Sequence, residues 1–455
     1  MSERITVPDW TRRDFLKTSA MAVGGIAMAD LLAACGSSAA TTPQAHVTLN
    51  VLLANHTPYY AYIKGSFEQS NNASITLTRE QFALLPAKLS TAFASGGYTW
   101  DVVYLWRAWV EQFRKYLTPL DSLSFTPDTS DMLPVSLKQI KATDGKFYGL
   151  PSNVYTYVLY ANKTMLSAAG VAFPTNYEDF VAAAKKMTTG GNFGYVDGWA
   201  PGYLFPKYCV WLHLNGGSLY GNPGVGERVN FDSAEAKQAT ADMKALLPSM
   251  PREVVTSPWG IYDVEAKKVF FSGKAAMLID YQHIWYEGVD SSVSTIGAGN
   301  VQVGIVPGKS SGPKSGSQYV GECFAIPKTA KQPQRALELL KYFSNSSNQL
   351  GLLTKRTALH QFDPAGEDGF PAYKSDYSNG SLSGTDKQIV DTTFQQQQYK
   401  GDRYETRPAY QKIADTIEAA VSSALTGQAS ISAAHASGQS ALDAVVTDEK
   451  AGKFA

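Results

Sequence analysis

Short segments with alternating apolar and polar residues are separated along the chain by segments with helical spacing. Residues 47–53 carry apolar side chains at alternate positions and predict a first strand, and residues 75–78 and 101–105 predict two more. A helix is predicted over 84–95, ending at the helix-stop signal Gly96-Gly97. The third strand is apolar enough to be buried on both faces, as strands of parallel sheets are.

The same alternation continues through the second half of the chain. Strands are predicted over 154–160, 274–280, 301–306 and 320–326. Helices are predicted between them, one of which begins at a capping box formed by residues 175–178. A long C-terminal helix is predicted through residues 413–425. Strands that alternate with helices predict an α/β fold with mainly parallel sheets.

The first 45 residues have the features of an export signal followed by a linker. Arg12 and Arg13 precede Phe-Leu-Lys, as in a twin-arginine signal, and Leu32-Ala33-Ala34-Cys35 resembles a bacterial lipobox. The apolar run between them has about 12 residues, whereas a membrane span needs about 20. We therefore predict a Tat-like lipoprotein signal peptide over 1–34, a lipid on Cys35 and a flexible tether over 35–45.

The composition narrows the classes of partner. The 455 residues include 40 Lys and Arg and 40 Asp and Glu, so the net charge is zero, which argues against nucleic-acid binding. Aromatic residues make up 12% of the chain, which suits a neutral polar ligand. Cys209 and Cys323 lie in apolar runs and are interpreted as buried thiols in preference to a disulfide. The six histidines show no metal-ligand spacing, so no metal site and no cofactor are expected.

One segment matches catalytic motifs, and we interpret both matches as chance. Residues 308–312 fit the GxSxG pattern of serine hydrolases, which needs a strand, a sharp turn and a helix around the serine. The residues that follow, 313–316, predict a loop instead. Residues 304–310 also look like a phosphate-binding loop, but the spacing of the glycines is one residue too short. No enzymatic activity is predicted.

Several ordered motifs resemble those of a known family. They are Asp-Gly-Lys-Phe-Tyr-Gly-Leu-Pro at 144–151, Ala-Asn-Lys at 161–163, the segments 168–171 and 174–180, Phe-Phe-Ser-Gly-Lys-Ala-Ala-Met at 270–277, and Phe-Ala-Ile-Pro-Lys at 324–328. Together they resemble the family 1 extracellular solute-binding proteins of ABC importers, the maltose-binding type, over nearly the whole mature chain. The resemblance implies the two-lobed α/β periplasmic-binding-protein fold of type II, with the ligand in the cleft between the lobes.

The resemblance also implies lobe boundaries and partners. One lobe would combine 46–152 with 323–365, the other 153–322 with 385–455, and 366–384 would form a crossing loop region. The partners would be a carbohydrate, the transmembrane subunits of an ABC permease that senses lobe closure, and the membrane through the lipid on Cys35. No nucleic acid is expected, and the protein is expected to be a monomer.

Loops that face the cleft would supply the ligand contacts, in keeping with the general rule for open α/β sheets. Carried over by position, the candidates are Asn55, His56, Trp106, Arg107, Tyr155, Tyr203, Trp259, Tyr281, His283, Trp285, Glu322 and Tyr410. Aromatic faces suit the CH faces of sugar rings, and the polar side chains suit the hydroxyl groups. This chain departs from the family at Tyr155, where maltose binders often have an acid, and at 281–283, where Gly-Pro-Trp is common. Trp100 and Trp211 are interpreted as core residues.

Two alternatives stay open at this stage. The same fold could bind another solute, such as a glycerol phosphate, ferric iron or a polyamine. A polyamine site would need several carboxylates in the cleft, and the candidate loops contain only Glu322. An exported hydrolase of another class is the second alternative, and it would need an assembled catalytic group.

Overall fold

Seven strands form one sheet in the part of the chain that our computed structural model describes, which comprises residues 45–97, 100–221, 226–256, 263–362, 368–382, 384–399, 401 and 407–454. The strands are β1 (Val47–Ala54), β2 (Ala73–Glu80), β3 (Val102–Trp106), β4 (Gly149–Asn162), β5 (Met277–Tyr281), β6 (Val301–Gly304) and β7 (Tyr319–Ala325). Their order is β2-β1-β3-β7-β4-β5, and β6 also pairs with β4. Each of the seven predicted strands therefore corresponds to an observed strand.

The direction of the strands differs from the prediction. β1 pairs in parallel with β2 and β3. β7 is antiparallel to β3 and β4, and β4 is antiparallel to β5 and β6. The α/β class is confirmed, but the expectation of mainly parallel pairing is wrong. Parallel neighbours need a crossover connection, whereas β4 and β7 lie side by side as the chain passes through the middle of the sheet and later returns.

Strand β4 connects the two halves of the sheet. Its first part, 149–156, pairs with β7, and its second part, 157–162, pairs with β5 and β6. All 14 of its residues are buried. Val154 also exchanges two backbone hydrogen bonds with Phe370, at 2.8 and 3.0 Å. Three segments thus run side by side near the predicted lobe boundaries, and these boundaries stay a prediction.

Helices cover the sheet and fill the connections. The first are α1 (Pro58–Ser70), α2 (Leu85–Ser95), α3 (Arg107–Phe113), α4 (Pro134–Ile140), α5 (Lys163–Ala168), α6 (Tyr177–Met187), α7 (Leu204–Leu214), α8 (Ala234–Leu246), α9 (Glu253–Thr256) and α10 (Asp263–Phe271). The others are α11 (Trp285–Val289), α12 (Pro333–Ser344), α13 (Ser346–Gln349), α14 (Gly351–Thr354), α15 (Arg356–Phe362), α16 (Lys374–Tyr377), α17 (Gly384–Gln396), α18 (Tyr410–Leu425) and α19 (Ile431–Lys450).

Local chemistry explains several helix ends. α2 stops at Gly96, which adopts a φ of +63°, a conformation that glycine reaches without a steric penalty. α6 begins one residue later than the predicted capping box, because the side chain of Asn176 accepts the backbone N–H of Asp179 at 2.8 Å. α19 was not predicted, although Ser430 caps its first turn by accepting the backbone N–H of Ala433 at 3.2 Å.

The predictions about cysteine and core residues agree with the structure. Cys209 and Cys323 are both buried as thiols, and burial raises the pKa of Cys323. Trp211 is buried within α7, while Trp100 is half-buried beside the ammonium of Lys88. The prediction for Cys35 lies outside the described residues.

Two further expectations concern loops and helices. The segment between β6 and β7 that contains the GxSxG match is a loop, in which the backbone N–H of Gly308 donates to the carbonyl of Lys314 at 3.0 Å. The strand-turn-helix geometry of a hydrolase serine is therefore not present there. Among the described helices, none combines the length and the apolar character needed to span a bilayer.

Candidate functional site

A row of aromatic and polar side chains crosses the middle of the sheet. Trp106 at the end of β3 lies opposite Glu322 on β7, and Glu322 lies opposite Asn153 on β4. Residues directly opposite in antiparallel strands share one face of the sheet. Tyr104 and Tyr155 lie two positions away on β3 and β4 and share that face too. We call these five residues the central row.

Glu322 is the centre of a hydrogen-bond network in the central row. One carboxylate oxygen accepts from Nε2 of His56 at 2.8 Å and from the hydroxyl of Tyr104, and the other accepts from the hydroxyl of Tyr155 at 3.4 Å. Glu322 is only 2% exposed. Three donors around one buried carboxylate compensate for its lost hydration.

The hydroxyl of Tyr104 stays a donor in this network. Burial raises the pKa of Tyr104 well above its ordinary value, and the negative charge of Glu322 raises it further. The phenol therefore keeps its proton across the physiological range and continues to donate to the carboxylate. His56 lies at the end of β1, and the ring of Phe82 approaches it edge-on at 5.5 Å.

A second group of rings extends the site along β4 and β5. The ring of Tyr155 meets the rings of Tyr281 and His283 edge-on, at centroid distances of 5.6 and 5.5 Å. Tyr281 lies opposite Tyr157 in the sheet register and stacks on it at 4.2 Å with an interplanar angle of 18°. Flat rings therefore continue from the central row into the second half of the sheet.

Beneath this stack lies a buried lysine. Nζ of Lys207, on α7, lies 4.4 Å from the centroid of Tyr157 and 2.7 Å from a carboxylate oxygen of Asp197. It also donates to the backbone carbonyl of Ile279 at 2.6 Å and lies 3.9 Å from Asp280. Burial raises the pKa of Asp280, and the positive charge of Lys207 opposes this shift. The side chains of Lys207, Asp197 and Asp280 are at most 2% exposed.

A third contact joins the end of β3 to the start of α18. Trp106 meets Tyr410 edge-on at 5.3 Å, and Tyr410 meets Phe205 at 5.9 Å. Burial raises the pKa of Tyr410, while the positive charge of the buried Arg107 lowers it, which places Arg107 electrostatically within reach of this ring. Trp106 itself is half-buried.

The structure therefore brings together eight of the twelve predicted ligand-binding residues: His56, Trp106, Arg107, Tyr155, Tyr281, His283, Glu322 and Tyr410. Asn55 is exposed at the end of β1, and Tyr203 is half-buried directly before α7. Trp285 is fully buried, and its indole N–H donates to Asp386 at 3.4 Å. Trp259 lies outside the described residues. The binding role of all twelve stays a prediction.

Sequence reasoning missed four residues of this site: Tyr104, Asn153, Tyr157 and Lys207. A signal was present for each of them. The first three lie two positions from a predicted site residue, Trp106 or Tyr155, and strand periodicity places such positions on the same face. Lys207 interrupts an apolar helix, and lysine is almost never fully buried unless it is paired.

A mixed α/β sheet with aromatic rings and hydrogen-bonding groups across its middle is compatible with the fold of a two-lobed binding protein. The chain belongs to the family of bacterial extracellular solute-binding proteins, whose model matches residues 63–359. Membership of this family implies an exported protein.

Among the described residues, no group of three His, Cys, Asp or Glu side chains could hold a metal ion.

Solved structures of solute-binding proteins share the fold. An ABC transporter solute-binding protein of Agrobacterium radiobacter K84 in complex with ribitol has a TM-score of 0.69 and 22% identity, and covers 88% of this chain and 98% of its own. Maltose-bound MalE3 of T. maritima has a TM-score of 0.72 and 21% identity, and the match covers 87% of this chain and 99% of the MalE3 chain. The GacH receptor of Streptomyces glaucescens, solved unliganded and with acarbose, has a TM-score of 0.72 and 22% identity. The match covers 89% of this chain and 100% of the receptor chain.

A curated relative matches over a shorter region. A binding protein of Brucella abortus (strain 2308) is 28% identical over 166 residues, which are 35% of this chain. The matched region spans 40% of that relative's length. The relative is therefore similar in one part of the chain, while the structural similarity extends over nearly all of it.

Proposed function

We propose that the protein binds a carbohydrate reversibly between its two lobes and delivers it to the permease of an ABC importer. The observation that carries the proposal is the central row, where flat rings alternate with hydrogen-bonding groups across three strands. Aromatic rings pack against the CH faces of sugars, and polar groups bind the hydroxyls. The ligands named for the structural neighbours, ribitol, maltose and acarbose, support this class.

The charges of the site favour a neutral ligand. Glu322 is surrounded by His56 and two phenols, and Lys207 lies between Asp197 and Asp280. A polyamine would need carboxylates that are not already compensated. A phosphate ester would need a cation that is not already compensated, whereas Nζ of Lys207 lies 2.7 Å from a carboxylate oxygen of Asp197 and 3.9 Å from one of Asp280. An uncharged, hydroxyl-rich molecule places neither demand on the site.

The tyrosines of the site are suited to donate hydrogen bonds. Burial raises the pKa of Tyr104 and of Tyr410, so both phenols keep their protons at neutral pH. The protonated phenols are suited to hydrogen bonds with a carboxylate or with sugar hydroxyls, and we assign the protein no catalytic step.

The experiment is ligand-dependent thermal stabilisation of the purified chain. We expect one or more of maltose, acarbose, ribitol and D-mannitol to raise the unfolding temperature, because a ligand at 100 times its dissociation constant adds about 2.7 kcal/mol. Spermidine, glycerol 3-phosphate and ferric citrate are the comparison set. A shift with one of these three and none with a broad sugar and polyol panel would contradict the carbohydrate assignment.

The lipid anchor belongs to the same proposal. We assign residues 1–34 to a Tat-like lipoprotein signal, Cys35 to the lipid and 35–45 to a tether, and we place the protein on the outer face of the cell membrane. The Cys35→Ser variant should move from the membrane fraction to the soluble exported fraction. A Cys209→Ser variant is the matched control and should stay with the membrane.

A further inference from the structure

Asn153 occupies a special position in the central row. It lies opposite Glu322 in the sheet register, and an irregularity in the pairing of β4 with β7 falls between Pro151 and Asn153. Bulges of this kind re-aim a side chain and are frequent beside functional sites. The amide nitrogen of Asn153 lies 3.5 Å from the hydroxyl of Tyr155, so the side chain points along the face that carries the network around Glu322.

The other end of this amide is not satisfied by the protein. The side-chain oxygen Oδ1 of Asn153 is buried and has no hydrogen-bond partner within the described part of the chain, although the residue has no exposed surface at all. Buried amide carbonyls nearly always have a partner, because leaving one without a partner costs free energy. Rotating the amide by 180° would exchange its oxygen and nitrogen. The nitrogen would then be the buried atom without a hydrogen-bond partner.

The neighbouring carboxylate of Glu322, unlike the side-chain oxygen of Asn153, has hydrogen-bond partners. Glu322 already accepts hydrogen bonds from His56, Tyr104 and Tyr155. Asn153 is thus a fully buried group of the central row with hydrogen-bonding capacity left over. We propose that Asn153 is a specificity-determining residue whose amide binds one hydroxyl group of the ligand directly, with Glu322 and Tyr155 fixing its orientation.

This inference rests on the proposed function and specifies its chemistry. A hydroxyl can donate to the amide oxygen and accept from the amide nitrogen, so it satisfies Asn153 in either orientation of the amide. An ether oxygen or a CH group at the same place cannot donate to the oxygen. A site built to hydrogen-bond a hydroxyl rejects the analogue that lacks it. The ligand should therefore carry a free hydroxyl at the position that meets Asn153.

The test uses the full chain, its Asn153→Leu variant and the compound among maltose, acarbose, ribitol and D-mannitol that binds the unmodified protein most tightly. Leucine has a similar size and lacks the polar atoms. We expect the dissociation constant to rise about tenfold or more, because one buried hydrogen bond is lost. We also expect the ligand-free variant to unfold at an equal or higher temperature, because the unsatisfied oxygen is gone.

Thr393→Val is the matched control. Thr393, on α17, also has a fully buried side-chain oxygen with no partner among the described residues, but it lies outside the central row. Its replacement should leave the dissociation constant unchanged. A second measurement covers the case in which Asn153→Leu folds poorly: titration of the unmodified protein with monodeoxy analogues of the same compound, one of which should bind about tenfold more weakly.

The outcomes separate the two proposals. Equal affinity of the unmodified protein and the Asn153→Leu variant, or equal affinity for all deoxy analogues, overturns the role of Asn153 and leaves the carbohydrate assignment intact. No binding of any sugar or polyol by the unmodified protein overturns the proposed function and this inference together. Weaker binding by Asn153→Leu with unchanged binding by Thr393→Val supports the inference.

Discussion

Two charged networks lie along β4, one in each half of the sheet, and they differ in their access to solvent. In the first half, Glu322 is buried but its partner His56 keeps 19% of its side chain exposed. In the second half, Lys207 and Asp197 are each only 1% exposed. Both networks place a charge beside tyrosine rings, through Tyr155 in the first and Tyr157 in the second.

The difference in solvent exposure suggests different roles: the first network can contact a ligand, and the second supports the residues around it. A ligand can approach the first network through His56 and the half-buried Trp106. None of the three charged residues of the second network is more than 2% exposed, so we assign this network to holding the Tyr157–Tyr281 stack in place. Whether a charged network near the site acts in binding or in support therefore depends on whether one of its members reaches solvent.

The largest effect should come from removing the buried lysine. Lys207→Met keeps the length of the side chain but removes the cation that lies between Asp197 and Asp280. We expect a loss of about 3–5 kcal/mol in the free energy of unfolding, which is typical when one partner of a buried ion pair is removed. Urea denaturation measures it. Lys387→Met, in a pair with Asp391 that is 55% exposed on both sides, should change stability by less than about 0.5 kcal/mol. Equal effects of the two variants would remove the contrast between buried and exposed charge.

A smaller effect on the free energy of unfolding, with a defined pH dependence, is expected from Asp368, which lies near the first network. Burial raises the pKa of Asp368 to about 7, while Arg356 and the backbone N–H of Tyr59 oppose the shift. In the unfolded chain an aspartate titrates near about 3.9. Between about pH 4 and 7 the folded state therefore binds the proton more tightly, so stability contributed by this group falls as the pH rises through that window.

The Asp368→Asn variant tests this sign. Its side-chain oxygen can still accept the N–H of Tyr59, but the group no longer titrates. We expect the variant to gain stability relative to the unmodified protein between pH 5 and pH 8, as measured by urea denaturation at both values. The same stability difference at both pH values would show that Asp368 does not contribute to the pH dependence.

The next largest effect is expected from changing the carboxylate of the first network. Glu322→Gln keeps the shape of the side chain but places an NH₂ group against the donors His56, Tyr104 and Tyr155. We expect a loss of about 1–3 kcal/mol in stability, the cost of buried donors left without acceptors, together with weaker ligand binding. Glu178→Gln is the control, because Glu178 accepts from Ser310 at an exposed site, and it should stay within about 0.5 kcal/mol. Unchanged affinity in Glu322→Gln would separate the network from ligand binding.

The smallest effect is expected where the two networks meet. Tyr281 stacks on Tyr157 and also touches Tyr155. Tyr281→Leu should lower stability by about 0.5–1.5 kcal/mol, the usual contribution of an aromatic pair, and Tyr281→Phe should keep most of it because the ring remains. Thermal and urea denaturation measure both. An equal loss in Tyr281→Phe and Tyr281→Leu would show that the hydroxyl group, and not the stack, contributes the stability.

Much of the fold was accessible from sequence because its elements are local. Short segments with alternating or continuous apolar residues predicted all seven strands, and a glycine pair predicted the end of α2. The pairing directions were not accessible, because β7 is 157 or more residues downstream of β4 in the chain and the contacts that place them together are tertiary. The shift of the α6 cap from Thr175 to Asn176 is a smaller case, since both residues can cap a helix and the structure selects one.

The candidate site divides in the same way. By itself the sequence determined the chemistry of the site: aromatic and hydrogen-bonding residues after strands, in a chain without net charge and in the order of a solute-binding protein. Tertiary structure decided which of them act together. His56 and Glu322 are 266 residues apart and meet only because β1 and β7 both flank β3. It also decided that Asn153 lies opposite Glu322 with an unsatisfied oxygen, and that Lys207 is buried between two aspartates. The physical reason is that burial and hydrogen-bond partnership depend on all the surrounding elements, whereas periodicity and residue type depend on one.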